Sequence, residues 1–222
     1  MTKELLHHAQ KISLNLFESV EKNGLIISGK SESQLSAEIC SLASRNFGIE
    51  KFWHKKIVRA GKNTLCIYPE NPPDTIIQND DVVILDFGPI VDGYEGDVGR
   101  TYVIGKDQQK LKLKRDLENA WYETRDWYWG HTSLKSSELF QYVVDIAARY
   151  GYSFGGEIAG HIVGKFPHEQ PIDPKSLELD IHPDNHNDMF QLDSNDLERH
   201  WILELHFVDK QNQIGGFFEQ LL

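Results

Sequence analysis

The stretch Val82–Gly105, VVILDFGPIVDGYEGDVGRTYVIG, constrains the fold of this chain more than any other. It starts with a run of apolar, mostly β-branched residues, passes through Asp92-Gly93, and resumes strand composition at Arg100–Ile104. An Asp-Gly pair between two strand-like runs is the strongest short hairpin signal that a sequence offers. The stretch therefore predicts two antiparallel strands joined by a two-residue turn.

Two aspartates of this hairpin are predicted to lie side by side. Counting outward from the turn pairs Asp86 with Gly99 and Asp97 with Gly88. Because side chains alternate along a strand, both aspartates project from the same face as diagonal neighbours, with Cβ atoms roughly 7 Å apart. Two carboxylates directed at one point repel each other unless a cation lies between them. One interpretation is a metal site; the other is that these are solvated turn residues, the role we assign to Asp92.

Length, charge and cysteine content limit which partners and which cellular location we expect for this protein. At 222 residues the chain can bury a sizeable core and need not contain more than one domain. The formal net charge of -11 argues against nucleic acids and anionic membranes as partners, because phosphate binding needs clustered Lys and Arg. Cys40 and Cys66 lack zinc-site spacing and are typical of a reducing compartment. With no signal-peptide pattern and no apolar run of transmembrane length, we expect a cytoplasmic protein.

Apolar periodicity predicts four helices and additional strands around the hairpin. The predicted helices are Leu5–Glu21, Glu32–Ser44 with Ser31 or Ser33 as its cap, Lys110–Trp129 and Ser136–Tyr150. The predicted strands are a strand–turn–strand over Ile57–Tyr68, then Trp201–Val208 and Phe217–Leu222. The acidic, turn-rich segment Leu177–Asn195 is expected to be a surface excursion, in which His182 and His186 are solvated rather than ligands.

The helix Lys110–Trp129 carries an aromatic segment, AWYETRDWYWG, with two apolar faces. The first face suits core packing. The second face, defined by Tyr122 and Trp129, is a candidate subunit contact, since large exposed apolar patches usually mark interfaces, and it would make the protein a homodimer. The alternative is an aromatic wall for a substrate.

Charged residues also stand in the two late, apolar strands. Glu204 and Glu219 are costly to bury there unless they are paired or bound to a cation. His161 and His168 lie in a glycine- and proline-interrupted loop, GHIVGKFPHEQP, so they do not share a continuous helix. HExxH is absent, which excludes a zincin. The combined set of carboxylates and histidine suits a pair of cations such as Mn, Fe, Co or Zn.

Together these motifs resemble the methionine aminopeptidase, aminopeptidase P, prolidase and creatinase family. Five elements match in chain order: LDFG, GDVGRTY, GHIVG, ILELHF and FFEQLL. The resemblance implies the α+β pita-bread fold, a curved antiparallel sheet with helices on its outer face and two pseudo-related α/β halves, about 1–105 and 106–222. It also implies a single catalytic domain over residues 1–222, without the N-terminal domain of prolidase-like members.

The resemblance also assigns the site. The family's five ligands of a dinuclear centre match Asp86, Asp97, His161, Glu204 and Glu219, which implies two divalent metal ions (Mn, Co, Fe or Zn) as cofactor. Glu204 would also shuttle a proton as a catalytic group, and His168 would contact the substrate and stabilise the transition state.

The implied activity is that of a metal-dependent hydrolase. It would remove an N-terminal residue, of Xaa-Pro or Met-Xaa type, from a peptide or small amide substrate by means of a metal-activated water. Two alternatives stay open: a creatinase-like or biosynthetic enzyme acting on a small non-peptide C–N bond, and a non-catalytic binding module.

Three departures from the family pattern bear on the activity. The family has a substrate-positioning histidine about seventeen residues before the first aspartate, where this chain has Tyr68-Pro69-Glu70-Asn71. Glu70 is the candidate substrate-binding replacement. The family's Glu-Pro after the fourth ligand is Glu204-Leu205 here, and Ile162 is expected to crowd a position that is usually glycine.

Overall fold

The structure is a computed structural model that describes residues 2–171, 173 and 175–222. In these ranges the chain forms four α-helices: α1 (Thr2–Lys22), α2 (Glu32–Phe47), α3 (Gln108–Trp129) and α4 (Ser136–Arg149). All four predicted helices are confirmed, with small shifts at their ends. No helix in the described part of the chain combines the length and apolar character needed to cross a membrane.

The ends of α2 follow from local chemistry. The Ser31 hydroxyl accepts a hydrogen bond from the Gln34 backbone N–H at 3.1 Å, so Ser31 is the N-cap. Ser33 instead donates its hydroxyl to Asp74 at 2.7 Å. The helix ends at Gly48, whose φ of 65° lies in the left-handed region where a side chain would be strained.

The described residues form nine strands. They are β1 (Ile57–Ala60), β2 (Val82–Phe87), β3 (Ile90–Val91), β4 (Tyr94–Glu95), β5 (Val98–Val103), β6 (Ser153–Phe154), β7 (Ile162–Val163), β8 (His200–Asp209) and β9 (Ile214–Leu221). Seven of them form one sheet in the order β1-β2-β5-β9-β8-β6, with β7 also paired to β8 and every pairing antiparallel. The short strands β3 and β4 pair with each other at the tip of the hairpin.

The predicted hairpin is confirmed in its register. Asp86 pairs with Gly99, and Val91 pairs with Tyr94 next to the turn. Asp92 has a φ of 51° and Gly93 a φ of 79°, the left-handed pair that a two-residue hairpin turn requires.

The prediction of a strand–turn–strand over Ile57–Tyr68 is wrong in its second half. After β1 the chain forms a 3₁₀ turn, Gly61–Leu65, and then an irregular segment. The buried guanidinium of Arg59 donates to the backbone carbonyls of that segment, those of Cys66, Ile67 and Glu70. Since these carbonyls are bound by a side chain, the segment needs no partner strand.

The helices cover one face of the sheet. Leu203, Leu205 and Phe207 of β8 are fully buried in a core cluster with residues of α3 and α4. Val83, Leu85 and Phe87 of β2 are buried in a second cluster with residues of α1 and α2. Because side chains alternate, the residues between them face the other side of the sheet, and two of these are Asp86 and Glu204.

The segment Leu177–Asn195 contains no helix or strand, as predicted, but it is more than a surface excursion. Leu179, Ile181 and Met189 are buried in the core cluster beside α4. These three side chains fix the segment against the core, which its acidic composition did not indicate.

The second aromatic face of α3 is not a continuous apolar surface. Tyr122 packs against the core and lies 6.0 Å from the Phe218 ring, whereas Trp129 is 59% exposed. The guanidinium of Arg125 lies over both rings, at 4.8 and 4.4 Å from their centroids. A subunit contact at this face stays a prediction, as does the division of the chain near residue 105.

Candidate metal centre

Three carboxylates form a row across four neighbouring strands. Asp86 on β2 pairs with Gly99 on β5, Gly99 pairs with Glu219 on β9, and Glu219 pairs with Glu204 on β8. Residues in one row of a ladder project from the same face. Asp97 lies two residues before Gly99, so it reaches the same face one step along the hairpin.

Gly99 provides the space in which this row can converge. A Cβ atom at Gly99 would lie 2.9 Å from the Cβ of Glu219 and 2.5 Å from the Phe217 ring. Any side chain here would therefore displace Glu219. The backbone conformation at Gly99 is one that other residues adopt, so the requirement for glycine is purely one of space.

His161 completes the set of five side chains that the sequence analysis singled out as ligands. Its Nε2 lies 3.4 Å from Asp97 Oδ2, 3.5 Å from Glu204 Oε1 and 4.0 Å from Glu219 Oε1. Its Nδ1 lies 2.9 Å from the carbonyl of Ile162, and since a carbonyl only accepts, Nδ1 carries the proton. This fixes the ring so that Nε2 faces the carboxylates.

The residues fit a cation. Two buried oxygens, Asp86 Oδ1 and Glu219 Oε2, have no hydrogen-bond partner among the described residues. Burying a carboxylate without a partner costs several kcal/mol, and a metal ion removes that cost. Ligand atoms within 4.8 Å of one another form two groups that share Asp97: one contains His54 and Asp86, the other His161 and Glu219. Oxygen-rich sets with imidazole suit divalent transition metals.

The crowding of carboxylates shifts their pKa values apart. Burial, reinforced by the neighbouring carboxylates, raises the pKa of Glu204 to about 8 and that of Glu219 well above its usual range. Burial likewise raises the pKa of Asp86 to about 6. Asp97 is also buried, but the facing imidazoles of His54 and His161 outweigh burial and hold its pKa at about 2. Of these four carboxyl groups, Asp97 therefore stays negatively charged down to the lowest pH.

His54 also belongs to the centre, although no sequence motif pointed to it. Its Nε2 lies 3.1 Å from Asp97 Oδ1 and 3.6 Å from Asp86 Oδ1. Burial disfavours the charged ring, yet the two aspartates outweigh it and raise the pKa of His54 to about 9. A signal was present: His54 lies three residues before Ile57, the first residue of β1, and Ile57 pairs with Asp86.

His168 reaches the same side of the centre, held by a second residue that the sequence analysis missed. The Nδ1 of His168 lies 2.8 Å from Glu95 Oε2, and the buried Glu95 carboxylate also accepts from the backbone N–H of Gly164 and of His168. Glu95 is on β4, two residues before Asp97. The carboxylate thus ties the histidine loop to the hairpin.

A cavity of about 400 Å³ opens above the carboxylates. His161, His168 and Glu204 line it together with a largely aromatic and aliphatic wall made of Trp53, Ile57, Tyr68, Phe154, Ile158 and Phe217. No residue of α3 is among the described residues that line it, because α3 packs on the opposite face of the sheet. The interpretation of Tyr122 and Trp129 as a substrate wall is therefore wrong, although an aromatic wall exists elsewhere.

Glu70 does not reach the cavity. Its carboxylate accepts a hydrogen bond from the Ile67 backbone N–H at 2.7 Å, and the side chain is exposed. Pro69 lines the cavity in the segment where the family has its upstream histidine. Ile162 does not crowd the centre either, because its side chain is buried in the core cluster.

The two histidines of the 177–195 segment lie outside the centre. His182 Nδ1 accepts from the Asp184 backbone N–H at 3.1 Å. His186 Nδ1 lies 3.0 Å from the Ser137 hydroxyl. Neither lines the cavity, in agreement with the expectation that they are not ligands.

The amino-acid sequence matches a known protein family. The sequence pattern of Metallopeptidase family M24 matches residues 4–190. The chain belongs to this family. The match includes Asp86, Asp97 and His161, while Glu204 and Glu219 follow it on β8 and β9. The resemblance inferred from the five motifs is thereby confirmed.

Curated relatives cover part of the chain. A methionine aminopeptidase of Helicobacter pylori is 32% identical over 119 residues, which are 51% of this chain and 45% of that protein. An Xaa-Pro dipeptidase of Pyrococcus horikoshii is 28% identical over 156 residues, 66% of this chain and 41% of that protein. The similarity thus spans less than half the length of either relative.

Solved structures show the fold. A prolidase from Thermococcus sibiricus superposes with a TM-score of 0.76 at 23% identity over 98% of this chain and 55% of that chain. A methionine aminopeptidase from Rickettsia prowazekii superposes with a TM-score of 0.68 at 15% identity over 97% of this chain and 90% of that chain. The α+β pita-bread fold is therefore confirmed.

Proposed function

We propose that the protein is a metal-dependent hydrolase that removes the N-terminal residue from peptides of Xaa-Pro or Met-Xaa type. The observation that carries the proposal is the convergence of Asp86, Asp97, His161, Glu204 and Glu219 beneath one cavity, with two of their buried oxygens lacking partners. Membership of a metallopeptidase family and similarity to methionine aminopeptidases and an Xaa-Pro dipeptidase support it.

The five side chains would hold two divalent ions, of Mn, Co, Fe or Zn. Bound there, such ions supply a Lewis acid for the substrate carbonyl and lower the pKa of water toward neutrality. The donor set of four carboxylates and one histidine is consistent with these metals. Asp97 belongs to both groups of ligand atoms, so it would help to hold both ions.

Glu204 is the carboxylate that we propose transfers the proton. Its side chain is 16% exposed, compared with 1% for Asp97 and 3% for Glu219, so it is the most accessible of these three from the cavity. A group that exchanges protons must contact both the solvent side and the substrate, and its pKa is best near the working pH. The accessibility of Glu204 supports that role.

His168 is proposed to bind the substrate carbonyl and to stabilise the developing negative charge. Its side chain lines the cavity and is 18% exposed, and its Nδ1 lies 2.8 Å from the buried carboxylate of Glu95, which orients the ring. With Nδ1 engaged by Glu95, Nε2 is the ring nitrogen left to contact the substrate, and as an N–H it would donate to the oxyanion.

The cavity wall, the single sheet and the free thiols support the remaining parts of the proposal. The aromatic wall of the cavity suits an apolar N-terminal side chain. We propose that residues 1–222 act as one catalytic domain, since the pairing of β5 with β9 joins the early and late strands in a single sheet. Cys40 and Cys66 are free thiols, which supports a cytoplasmic location.

The test combines metal analysis with a peptide panel. Protein purified without chelator should contain about two metal ions per chain, and the Glu204→Ala variant should lose them. Xaa-Pro and Met-Xaa dipeptides and tripeptides should be assayed with the loaded protein, together with small non-peptide amides. The exposed Glu198→Ala variant, on a different part of the surface, is the matched control and should keep both metal and activity.

Each outcome has a distinct meaning. Hydrolysis of either peptide class by the loaded protein supports the proposal and identifies the substrate. Hydrolysis of non-peptide amides alone would favour a creatinase-like enzyme. Protein that binds no metal after addition of Mn or Co, and cleaves no peptide, would leave a binding module.

A further inference from the structure

A second histidine, His54, lies at the centre in the same orientation as His161. His54 places its Nδ1 2.8 Å from the carbonyl of Lys55, the next residue, just as His161 places its Nδ1 2.9 Å from the carbonyl of Ile162. In each ring the carbonyl accepts the Nδ1 proton, which leaves Nε2 directed at the carboxylates. Histidines that bind metals usually donate their other N–H to a backbone carbonyl or carboxylate in this way.

The two rings face opposite oxygens of one carboxylate. His54 Nε2 lies 3.1 Å from Asp97 Oδ1, and His161 Nε2 lies 3.4 Å from Asp97 Oδ2. Asp86 Oδ1, a buried oxygen without a hydrogen-bond partner among the described residues, lies 3.6 Å from His54 Nε2. The unsatisfied Asp86 oxygen and His54 Nε2 therefore face the same point, beside Asp97 Oδ1.

These separations fit atoms that share one ion. A metal about 2.1 Å from each of two ligand atoms holds them about 3.0 Å apart in octahedral and about 3.4 Å apart in tetrahedral geometry. The distances from His54 Nε2 to Asp97 and Asp86, 3.1 and 3.6 Å, lie close to those values.

Neighbouring residues fix the position of the His54 ring. A Cβ atom at Gly88 would lie 2.1 Å from His54 Cδ2 and 2.3 Å from its Nε2, so the ring fills the space that the glycine leaves. The Trp53 ring packs edge-on against it at 4.6 Å, and Trp53 is itself fixed by its Nε1–H, which donates to the Gly96 carbonyl at 3.0 Å. The His54 side chain is only 8% exposed.

We infer that His54 is a sixth ligand of the centre, and that it binds through Nε2 the metal ion held by Asp86 and Asp97. The inference rests on the proposed dinuclear centre. Each metal position then has one histidine: His54 at the first and His161 at the second, with Asp97 between them. Because imidazole suits Zn and Co better than Mn, the first position should prefer the former metals.

The alternative is that His54 binds substrate in place of the upstream histidine. His54 lines the cavity, but the geometry favours a ligand, because Nε2 faces two carboxylate oxygens and only 8% of the side chain is exposed. Measurements of metal binding separate the two roles without depending on activity.

The decisive variant is His54→Asn. An asparagine amide can still donate to the Lys55 carbonyl but has no atom at the Nε2 position, so it removes the ligand and preserves the local bond. His182→Asn, in the 177–195 segment outside the centre, is the matched control. Circular dichroism establishes that both variants are folded.

Metal-free protein is titrated with Zn, Co and Mn by calorimetry and equilibrium dialysis. Wild type and His182→Asn should bind two ions. In His54→Asn the affinity for one Zn or Co equivalent should fall by about 10–100-fold or more, the range seen even for indirect partners of metal ligands, with a smaller loss for Mn. X-ray absorption of the Zn-loaded protein should show about one imidazole per metal in wild type and half that in the variant.

Two failures are distinguishable. Unchanged Zn and Co affinities and an unchanged imidazole count in His54→Asn would overturn the inference and leave the dinuclear centre intact; a raised KM alone would then assign His54 to substrate binding. Wild-type protein that binds no Zn, Co or Mn would instead overturn the centre itself.

Discussion

Glu204 and Glu219 lie directly opposite each other across β8 and β9, on the same face of the sheet. Like charges in directly opposed positions destabilise an antiparallel pair, and both of these carboxyls are largely buried. Burial raises the pKa of both, Asp97 and Asp86 reinforce the effect on each, and Glu204 adds to it for Glu219. A sheet that retains such a pair is suited to a cation and is strained without one, and this relationship leads to the first prediction.

Replacement of Glu219 by Gln should stabilise the metal-free protein and weaken its stabilisation by metal. Burial and the neighbouring carboxylates raise the pKa of Glu219, so the charged form of this side chain destabilises the folded protein, and Gln removes that charge. We expect a gain of about 1 kcal/mol in the free energy of unfolding, or roughly 2–4 °C in Tm. A metal at a hundred times its Kd should stabilise wild type by about 2.7 kcal/mol and the variant by much less.

Thermal unfolding with and without metal measures both effects. The Glu198→Gln variant, at an exposed position, should behave like wild type in both respects. A metal-induced rise in Tm that is equal in Glu219→Gln and wild type would contradict a role for Glu219 as a ligand.

Metal affinity should rise with pH between about 6 and 9. Ligands bind metals in their deprotonated form, and in the metal-free protein the pKa of Glu204 is about 8 and that of His161 about 10, so both hold protons at pH 7. Because these pKa values are raised, lowering the pH adds protons that the metal must displace, and raising it removes them. Asp97, with a pKa of about 2, contributes no proton over this range.

Calorimetric titration in two buffers of different ionisation enthalpy counts the protons released. At pH 7 the observed enthalpy should differ between the buffers, and the difference should shrink toward pH 10. Metal binding with equal affinity at pH 6 and pH 9 would contradict the prediction.

Gly99→Ala should weaken metal binding without loss of the fold. The added Cβ would meet the Cβ of Glu219 at 2.9 Å, so Glu219 must move away from the row of carboxylates. We expect a loss of affinity of roughly tenfold, by analogy with the loss of an orienting partner of a ligand. Gly130→Ala, beyond the end of α3, is the control with an ordinary backbone conformation. Equal metal affinity in wild type and Gly99→Ala would show that the row tolerates the displacement.

His168→Ala should lower kcat on the order of a hundredfold and leave the metal content unchanged. The reason is that the side chain is proposed to donate to a developing oxyanion, and the loss of one such donor typically has this effect. His186→Ala, on the 177–195 segment, should retain full activity. Loss of metal from His168→Ala would instead identify His168 as a ligand and contradict the assigned role.

Local patterns were sufficient for the hairpin and for the four candidate carboxylates, whereas the choice of His161 came from the family resemblance. A two-residue turn at Asp92-Gly93 fixes which residues of the two flanking strands pair with each other. The alternation of side chains then sets the face on which Asp86 and Asp97 lie. In the same way, an isolated Glu204 between apolar residues of a strand signals a buried carboxylate that needs a partner. These inferences hold because they depend on neighbours along the chain.

Contacts between distant segments were not predictable in this way. The irregular segment after β1 looked like a strand, but Arg59 binds its carbonyls and removes the need for sheet pairing. Leu179, Ile181 and Met189 anchor an acidic segment that composition alone assigns to the surface. In both cases a few side chains from elsewhere in the fold outweigh the local pattern.

The sequence by itself determined the hairpin register and the alternation of the strands, because turn chemistry and side-chain alternation are local. The carboxylates stood out by their place in the strands, whereas the choice of His161 came from the family resemblance. Only the tertiary structure decided that β5 pairs with β9, which aligns Asp86 with Glu219 and Glu204, and that β1 brings His54 against Asp97. These contacts depend on which strands become neighbours in the sheet, and that is decided by the packing of the helices and the core across the whole chain.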